Sequence, residues 1–294
     1  MHFTNYFFKY KTQHMNRAIK LTCLAFSVAF TCFSASAQLG GFGKGRINAR
    51  SVEAVQKGAK ALTFTNADAI KLSKEGVVWM DDHNPVAAAN DPYAIRLERI
   101  FGKHKNENGL ALNYKVYKVK DINAFACADG SVRVFSSLMD ILTDDELLAV
   151  VGHEIGHVKN EDTKDAIKSA YMRAAITDAS SSQSGAVRVL TDGELGVFTE
   201  NFLGASHSRK QESEADSYSY EFLKKHNYNV VGAYSAFKKL ALLSGGAEPT
   251  ISKKMMSSHP DSEARAAEVK KRAEKDDTWK DPGTISLPKK RLTS

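Results

Sequence analysis

Cysteine is scarce in this chain: of three, Cys23 and Cys32 fall in a segment expected to be removed, leaving Cys127 alone. A single thiol excludes an intramolecular disulfide framework. Also missing is an apolar run of the ~20 residues that a membrane-spanning helix needs. The stretch from Leu21 to Phe33 is shorter; it follows the basic Met15-Asn16-Arg17-Ala18-Ile19-Lys20 and precedes Ala35-Ser36-Ala37. Basic region, short hydrophobic core and Ala-x-Ala end together describe a secretory signal peptide over residues 1–37, cut before Gln38, with its start at Met1 or Met15. Ala29-Phe30-Thr31 before Cys32 does not form a lipoprotein cleavage box, so a soluble exported protein is expected. A strong charge bias is absent too. The formal net charge of +7 includes Lys9, Lys11, Arg17 and Lys20 of the leader, which carries no acid, so the mature chain stands near +3 (7 less 4). That is too weak to argue for nucleic acid as a partner.

The glycine-rich residues 38–47 read as a flexible tether, residues 48–275 as one domain, and residues 276–294 as a polar tail. Two helix-like stretches occupy Asn48 to Met80, the second beginning at Asn66-Ala67-Asp68. A turn punctuated by Pro85 and Pro92 follows, then a helix from Tyr93 to Phe101. The period then switches: Leu112 to Val119 alternates, and Ala124 to Cys127, the turn Asp129-Gly130 and Val132 to Phe135 form a hairpin. A small antiparallel sheet of at least three strands is expected. Further helices are predicted over 162–178, 186–202, 207–226 and 230–243. Gly245-Gly246 closes that series, and a last helix opens at His259-Pro260-Asp261 with proline in its first position and runs to Lys275. Ser180 to Ser184 is a polar loop and a candidate flap. The fold class is therefore α+β, a mostly helical single domain with a small sheet.

The chemistry is concentrated in His153-Glu154-Ile155-Gly156-His157. Positions four apart share a helix face, so His153 and His157 can aim ring nitrogens at one ion while Glu154 reaches a water on it. The setting agrees, because Thr143-Asp144-Asp145-Glu146 is a capping box and the residues after it are a largely apolar helical run. Gly152 and Gly156 each cost about 1 kcal/mol in a helix interior, which suggests close packing against that face. A catalytic zinc takes three protein ligands and one open position. The pattern that adds a third histidine fails here, with Asn160 where glycine is needed and Thr163 where histidine is needed, and the metzincin branch is excluded. The best third ligand is Glu212, on a helix where Asp216 is four residues on and could orient a ligand histidine through its other ring nitrogen. Glu214 points about 160° away from that face. His207 is a weaker rival and reads as a solvated residue at a helix start. No fourth protein ligand is evident.

A His-Glu-x-x-His helix followed by Arg209-x-x-Glu212-x-x-Ala215-Asp216 resembles the HtpX and CAAX prenyl protease type of zinc metallopeptidase, a gluzincin family. Asn123-Ala124-Phe125-Ala126 looks like that family's substrate-side edge strand, and His259-Pro260 with Arg265 six residues on matches a further segment. Without multiple spans or a helical repeat domain, the chain is similar to the compact periplasmic members of Gram-negative bacteria. The resemblance implies one Zn²⁺ on His153, His157 and Glu212, Glu154 as general base, Asp216 as outer-shell acid and His259 as an oxyanion stabiliser. It also implies misfolded or misassembled envelope proteins as substrates and a peripheral association with the outer-membrane assembly machinery. Cys127 departs from the relatives' pattern and is read as a buried apolar residue, with a zinc-blocking thiolate as the alternative. A holdase or assembly factor that binds unfolded outer-membrane proteins with little cleavage is the rival function.

Overall fold

The computed structural model describes residues 64–176, 189–244 and 249–288, all within the compact unit that runs from Glu53 to Ser294. The expected signal peptide, the tether and the Ser180 to Ser184 flap lie outside the described residues. The fold is α+β and mainly helical.

Helix α1 (Asn66–His83) begins where its sequence suggests, on a capping box in which Thr65 and Asp68 satisfy each other's backbone N–H groups. Helix α2 (Pro92–Phe101) starts on Asp91, with proline in its first turn. After a 3₁₀ turn (Gly102–His104) come the two-residue strands β1 (Asn106–Glu107) and β2 (Leu110–Ala111), which pair antiparallel. The main sheet is built from β3 (Asn113–Tyr117), β4 (Ala124–Ala126) and β5 (Ser131–Phe135).

The sheet differs from expectation in one respect. The β4–β5 hairpin is antiparallel, but β3 pairs parallel with β5, so the order is β3-β5-β4 and the sheet is mixed. Alternation dictates which side chains share a face; it does not dictate which strand lies next to which. Placing β5 in the middle puts the two alanines of β4 at the edge. Along β5, Val132 and Val134 face one core cluster while Phe135 faces the other, and β4 divides likewise into Ala124 and Ala126 against Phe125. The turn requires Gly130, whose φ is +86° and where an added Cβ would lie 2.0 Å from the Ala111 carbonyl oxygen.

Two helices were not anticipated. One is the short α3 (Ser136–Ile141), directly continuous with β5. It is followed by α4 (Asp144–Lys159), α5 (Asp162–Ile176), α6 (Asp192–Leu203), α7 (Arg209–Lys225) and α8 (Val231–Ser244). The second is α9 (Pro249–Ser258), past Gly245-Gly246. Helix α10 (Ser262–Lys275) begins after Pro260 rather than at it. The His259 N–H still bonds back to Met255, and Asp261 then takes a left-handed φ of +63°, so the chain reverses before α10 can start. Beyond α10, in the segment read as tail, the Thr278 and Trp279 N–H groups return to the Ala273 carbonyl and the Trp279 ring packs edge-on against Tyr234.

Helix α4 runs through the centre of one core cluster, where Leu147, Val151 and Ile155 are fully buried against residues of the sheet, α7, α8 and α10. The second cluster lies on the other face of the sheet, with Leu72, Ile167 and Phe198 of α1, α5 and α6 packed against Tyr117, Phe125 and Phe135. None of the described helices is long and apolar enough to cross a membrane.

Candidate metal centre

Helix α4 is positioned at its N-terminus and along its length. Its capping box forms as the sequence implies: the Thr143 N–H donates to Glu146 at 2.7 Å, and Glu146 also receives Lys239 Nζ at 2.7 Å. Along its length α4 packs on α7, and the two glycines are what allow this. A Cβ on Gly156 would lie 3.0 Å from the Ala215 Cα, and one on Gly152 would lie 3.1 Å from the Phe222 ring and 3.2 Å from Ser219 Oγ. The Ser219 hydroxyl donates to the Ala149 carbonyl at 2.6 Å, fixing the register of the helices. Close approach at Ala215 brings Glu212, one turn earlier on α7, to the histidines of α4.

The convergence is tight. His153 Nε2 and His157 Nε2 are 3.0 Å apart, and Glu212 lies 3.3 Å from His157 Nε2 and 3.6 Å from His153 Nε2. His259, on the α9–α10 connection, places Nδ1 3.2 Å from His153 Nε2 and 3.0 Å from Glu212 Oε1. A tetrahedral zinc with bonds of ~2.0–2.1 Å separates its ligand atoms by about 3.3–3.4 Å, so these spacings are those of a coordination sphere. All four residues are buried and offer one donor atom each within 4.8 Å of the others. His259 therefore corrects the expectation that no fourth donor is available: it stands within ligand distance of the cluster.

Three of the four donors are held from behind. Asp216 Oδ1 is 2.8 Å from His153 Nδ1, as its spacing from Glu212 suggested. His157 Nδ1 bonds Asp162 at 2.9 Å, a partner that sequence reasoning missed. The available signal was an acidic residue just beyond the end of α4, where Glu161 at φ +63° turns the chain back. Arg265, noted in sequence only as part of a motif, grips Asp216 through Nε at 2.8 Å and Nη2 at 2.6 Å, sets Nη1 2.6 Å from Glu212 Oε2 and stacks over Phe237. His207 is not the solvated residue expected. Its ring stacks on His157 at 3.9 Å, and burial, followed by the charges of His157 and His259, lowers its pKa to about 3.

The electrostatics suit a cation. Burial alone would raise Glu212, but hydrogen bonds from His157 and His259 outweigh it and hold the carboxylate well below its usual range. Burial, with Arg265 second, pushes His153 far down, so it is a neutral imidazole. His157 goes the other way: burial lowers it, Asp162 and Glu212 outweigh that, and it rises to about 9. The carboxylates around His157 thus favour positive charge at this position, which is where a divalent ion would sit. Burial raises Glu154, whose Oε1 is enclosed, accepts no hydrogen bond and lies 3.6 Å from His259 Nε2. An enclosed carboxylate oxygen without a partner is costly unless something polar comes to it, and its place beside the donor cluster fits a water on a bound metal.

Residues 96–273 match Peptidase family M48. The chain belongs to that family. Among curated M48-like relatives it is 40% identical to the metalloprotease YcaL of Escherichia coli K12 over 214 residues, 72% of this chain and 83% of YcaL. It is 38% identical to the metalloprotease LoiP of the same organism over 218 residues, 74% of this chain and 85% of LoiP. A more distant likeness, 25% over 154 residues, is to the mitochondrial metalloendopeptidase OMA1 of Saccharomyces cerevisiae, covering 47% of this chain and 43% of OMA1. As an M48 peptidase the chain is a metalloendopeptidase that works with a divalent metal.

Two further features bear on access in this M48 chain. Asn123, Ala124, Phe125 and Ala126 line one small cleft with Glu154, His157, His207 and His259, so the expected substrate strand and the metal cluster share a wall. The free space there is about 30 Å³, room for one or two waters and too small for an extended peptide. Leu203, Ala205, His207, Ser258 and His259 wall the same cleft, so they must part before a peptide can lie along the strand there. Cys127 is not one of the cluster residues. It is 2% exposed in the core with Phe125 and Phe135, and burial pushes its thiol well above the usual value, which suits the reading of a buried apolar residue over a zinc-blocking thiolate.

Proposed function

We propose that this chain is a zinc endopeptidase of the bacterial cell envelope, exported to the periplasm by a cleaved signal peptide, that hydrolyses misfolded or misassembled envelope proteins. The observation that carries the reading is the meeting of two imidazoles of α4 with the Glu212 carboxylate of α7, beside an unpartnered Glu154 oxygen, in a cleft walled by the edge strand β4.

His153, His157 and Glu212 would hold Zn²⁺, the borderline ion that suits two imidazoles and a carboxylate. When bound, zinc supplies Lewis acidity to the scissile carbonyl and lowers the pKa of its water toward ~7. Asp216 and Asp162 each take the outer ring N–H of one ligand histidine, which turns the inner nitrogen toward the ion and makes it a better donor. Arg265 holds the Asp216 and Glu212 carboxylates in place. Glu154 accepts the proton of the attacking water at Oε1 and passes it to the leaving amine. His259 must first draw its Nδ1 away from the donor cluster; its ring then faces the cleft, where an N–H can donate to the oxyanion.

Once the segments beside it part, the edge of β4 that is not paired with β5 supports recognition by strand addition, in which a substrate segment pairs through its backbone. Unfolded chains offer such segments, and β-barrel precursors are rich in them. A peripheral contact with the outer-membrane assembly machinery would bring such clients near.

The test uses the zinc-loaded protein and a denatured outer-membrane β-barrel protein diluted into buffer, with the folded barrel as control. The reading expects the unfolded client to be cut, cutting to stop with a chelator and return with zinc, and the folded control to stay intact. A client that is bound and kept soluble but left uncut would favour the holdase.

A further inference from the structure

We propose that His104, Glu107 and His226 form a second divalent-metal site, separate from the peptidase centre, that takes zinc or an ion of similar softness. One donor atom from each of the three residues lies within 4.8 Å of the others. Glu107 Oε2 is 3.0 Å from His226 Nε2 and 3.4 Å from His104 Nδ1, close to the ~3.3–3.4 Å separation of ligands on a tetrahedral zinc. Two imidazoles and one carboxylate are a donor set that suits this ion.

The cluster is preorganised. His104, at the end of the 3₁₀ turn, has Nε2 fixed by the Tyr228 hydroxyl at 2.7 Å, which leaves Nδ1 as the nitrogen that faces Glu107. Its ring packs edge-on against Phe222 and His226. Glu107 on β1 is 3% exposed, and its other oxygen, Oε1, takes Lys225 Nζ at 2.6 Å. Burial, followed by the charge of His226, disfavours the charged form of His104, with Glu107 opposing them.

Two features let an ion reach the site. The His226 side chain is 25% exposed, which opens a path for the ion and for a water at a further position, and Lys225 is 54% exposed, so its ammonium can swing into solvent and relieve repulsion. The site would tie the β1–β2 hairpin to the C-terminal end of α7. Phe222, which touches both rings of the cluster, also fills the space over Gly152 on α4. A metal here would thus brace the same α4–α7 contact that carries Glu212 to the histidines.

The rival is a hydrogen-bond cluster in which Glu107 Oε2 accepts from both rings and no ion enters. Zinc content separates the two. The full-length exported protein, its His226→Ala and His157→Ala variants and the double variant are each equilibrated with Zn²⁺, freed of loose metal and assayed for zinc per chain, with thermal melts alongside. Two ions in the parent, one in each single variant and none in the double are expected. Zinc should also raise the melting temperature of His157→Ala and fail to do so in the double variant. One ion in the parent that His226→Ala leaves in place would overturn the proposal, as would two ions retained in His226→Ala. If His226→Ala does not fold, His226→Gln, at the same partly exposed position, is read the same way. One ion in the parent that His226→Ala removes and His157→Ala leaves in place would count against the peptidase centre and not against this site.

Discussion

Asp216 Oδ1 stands 2.8 Å from Nδ1 of His153, on the far side of the ring from the nitrogen that faces the metal cluster, while Arg265 holds the same carboxylate with two N–H groups. Asp216 therefore sets the tautomer and tilt of a donor without being one. Asp216→Asn should weaken zinc binding by about 10–100-fold, the usual loss when an outer-shell partner of a ligand histidine is removed. Competition against a chelator of known affinity measures it. An unchanged affinity would mean that His153 is oriented by α4 packing alone.

The closeness of α4 and α7 predicts opposite outcomes for two glycines. Gly156→Ala gains about 1 kcal/mol of helix propensity. Its Cβ, however, meets the Ala215 backbone at 3.0 and 3.1 Å, and overpacking of that kind costs about 1–3 kcal/mol. The variant should melt lower than the parent and bind zinc more weakly, since α7 carries Glu212 outward with it. Gly193, inside α6, has nothing within 4 Å of an added Cβ, and Gly193→Ala should melt higher. Calorimetry of the pair compares them directly.

Acid stability should depend on Asp81. Burial would raise this carboxylate, but Arg133, then Lys115 and Tyr117, bring it down from 3.8 to about 2. A group depressed in the folded state adds stability that is fully present above its unfolded value and is lost as pH falls through the folded one. Asp81 should therefore contribute about 1–2 kcal/mol above pH ~4, once the exposure of Lys115 is discounted, and lose it between pH ~4 and ~2. Asp81→Asn should lower the melting temperature at pH 7 and flatten its dependence on pH in that window. The loss at pH 7 can be larger, because Arg133 is 2% exposed and would be left as a buried charge without its carboxylate.

The metal helix was legible in sequence because everything that defines it is local: a capping box, a spacing of four and two glycines whose cost pointed to a close neighbour. Glu212 and Asp216 could be singled out for the same reason, since their spacing puts both on one face, although nothing local says that this face meets α4. The approach depends on Ala215 and Ser219, small residues whose role appears only once the helices are packed. Asp162 and the stacking of His207 on His157 escaped notice because each depends on where the chain turns next. Strand order was hidden likewise, as β3 carries the same alternation whether it pairs with β4 or with β5. Pro260 misled because proline marks a helix start in many chains, whereas here the left-handed Asp261 separates it from α10.

Zinc-dependent hydrolysis with Glu154 as the base is the claim on which the rest depends, and Glu154→Gln tests it most directly. The amide is close in shape to the carboxylate but cannot take a proton from water, and Glu154 is not among the residues whose donor atoms converge in the cluster. The account predicts a folded protein with the parent's zinc content and melting temperature whose cleavage of an unfolded client falls by at least ~10³-fold. A Glu154→Gln protein that keeps its zinc and still cuts that client at the parent's rate would contradict it.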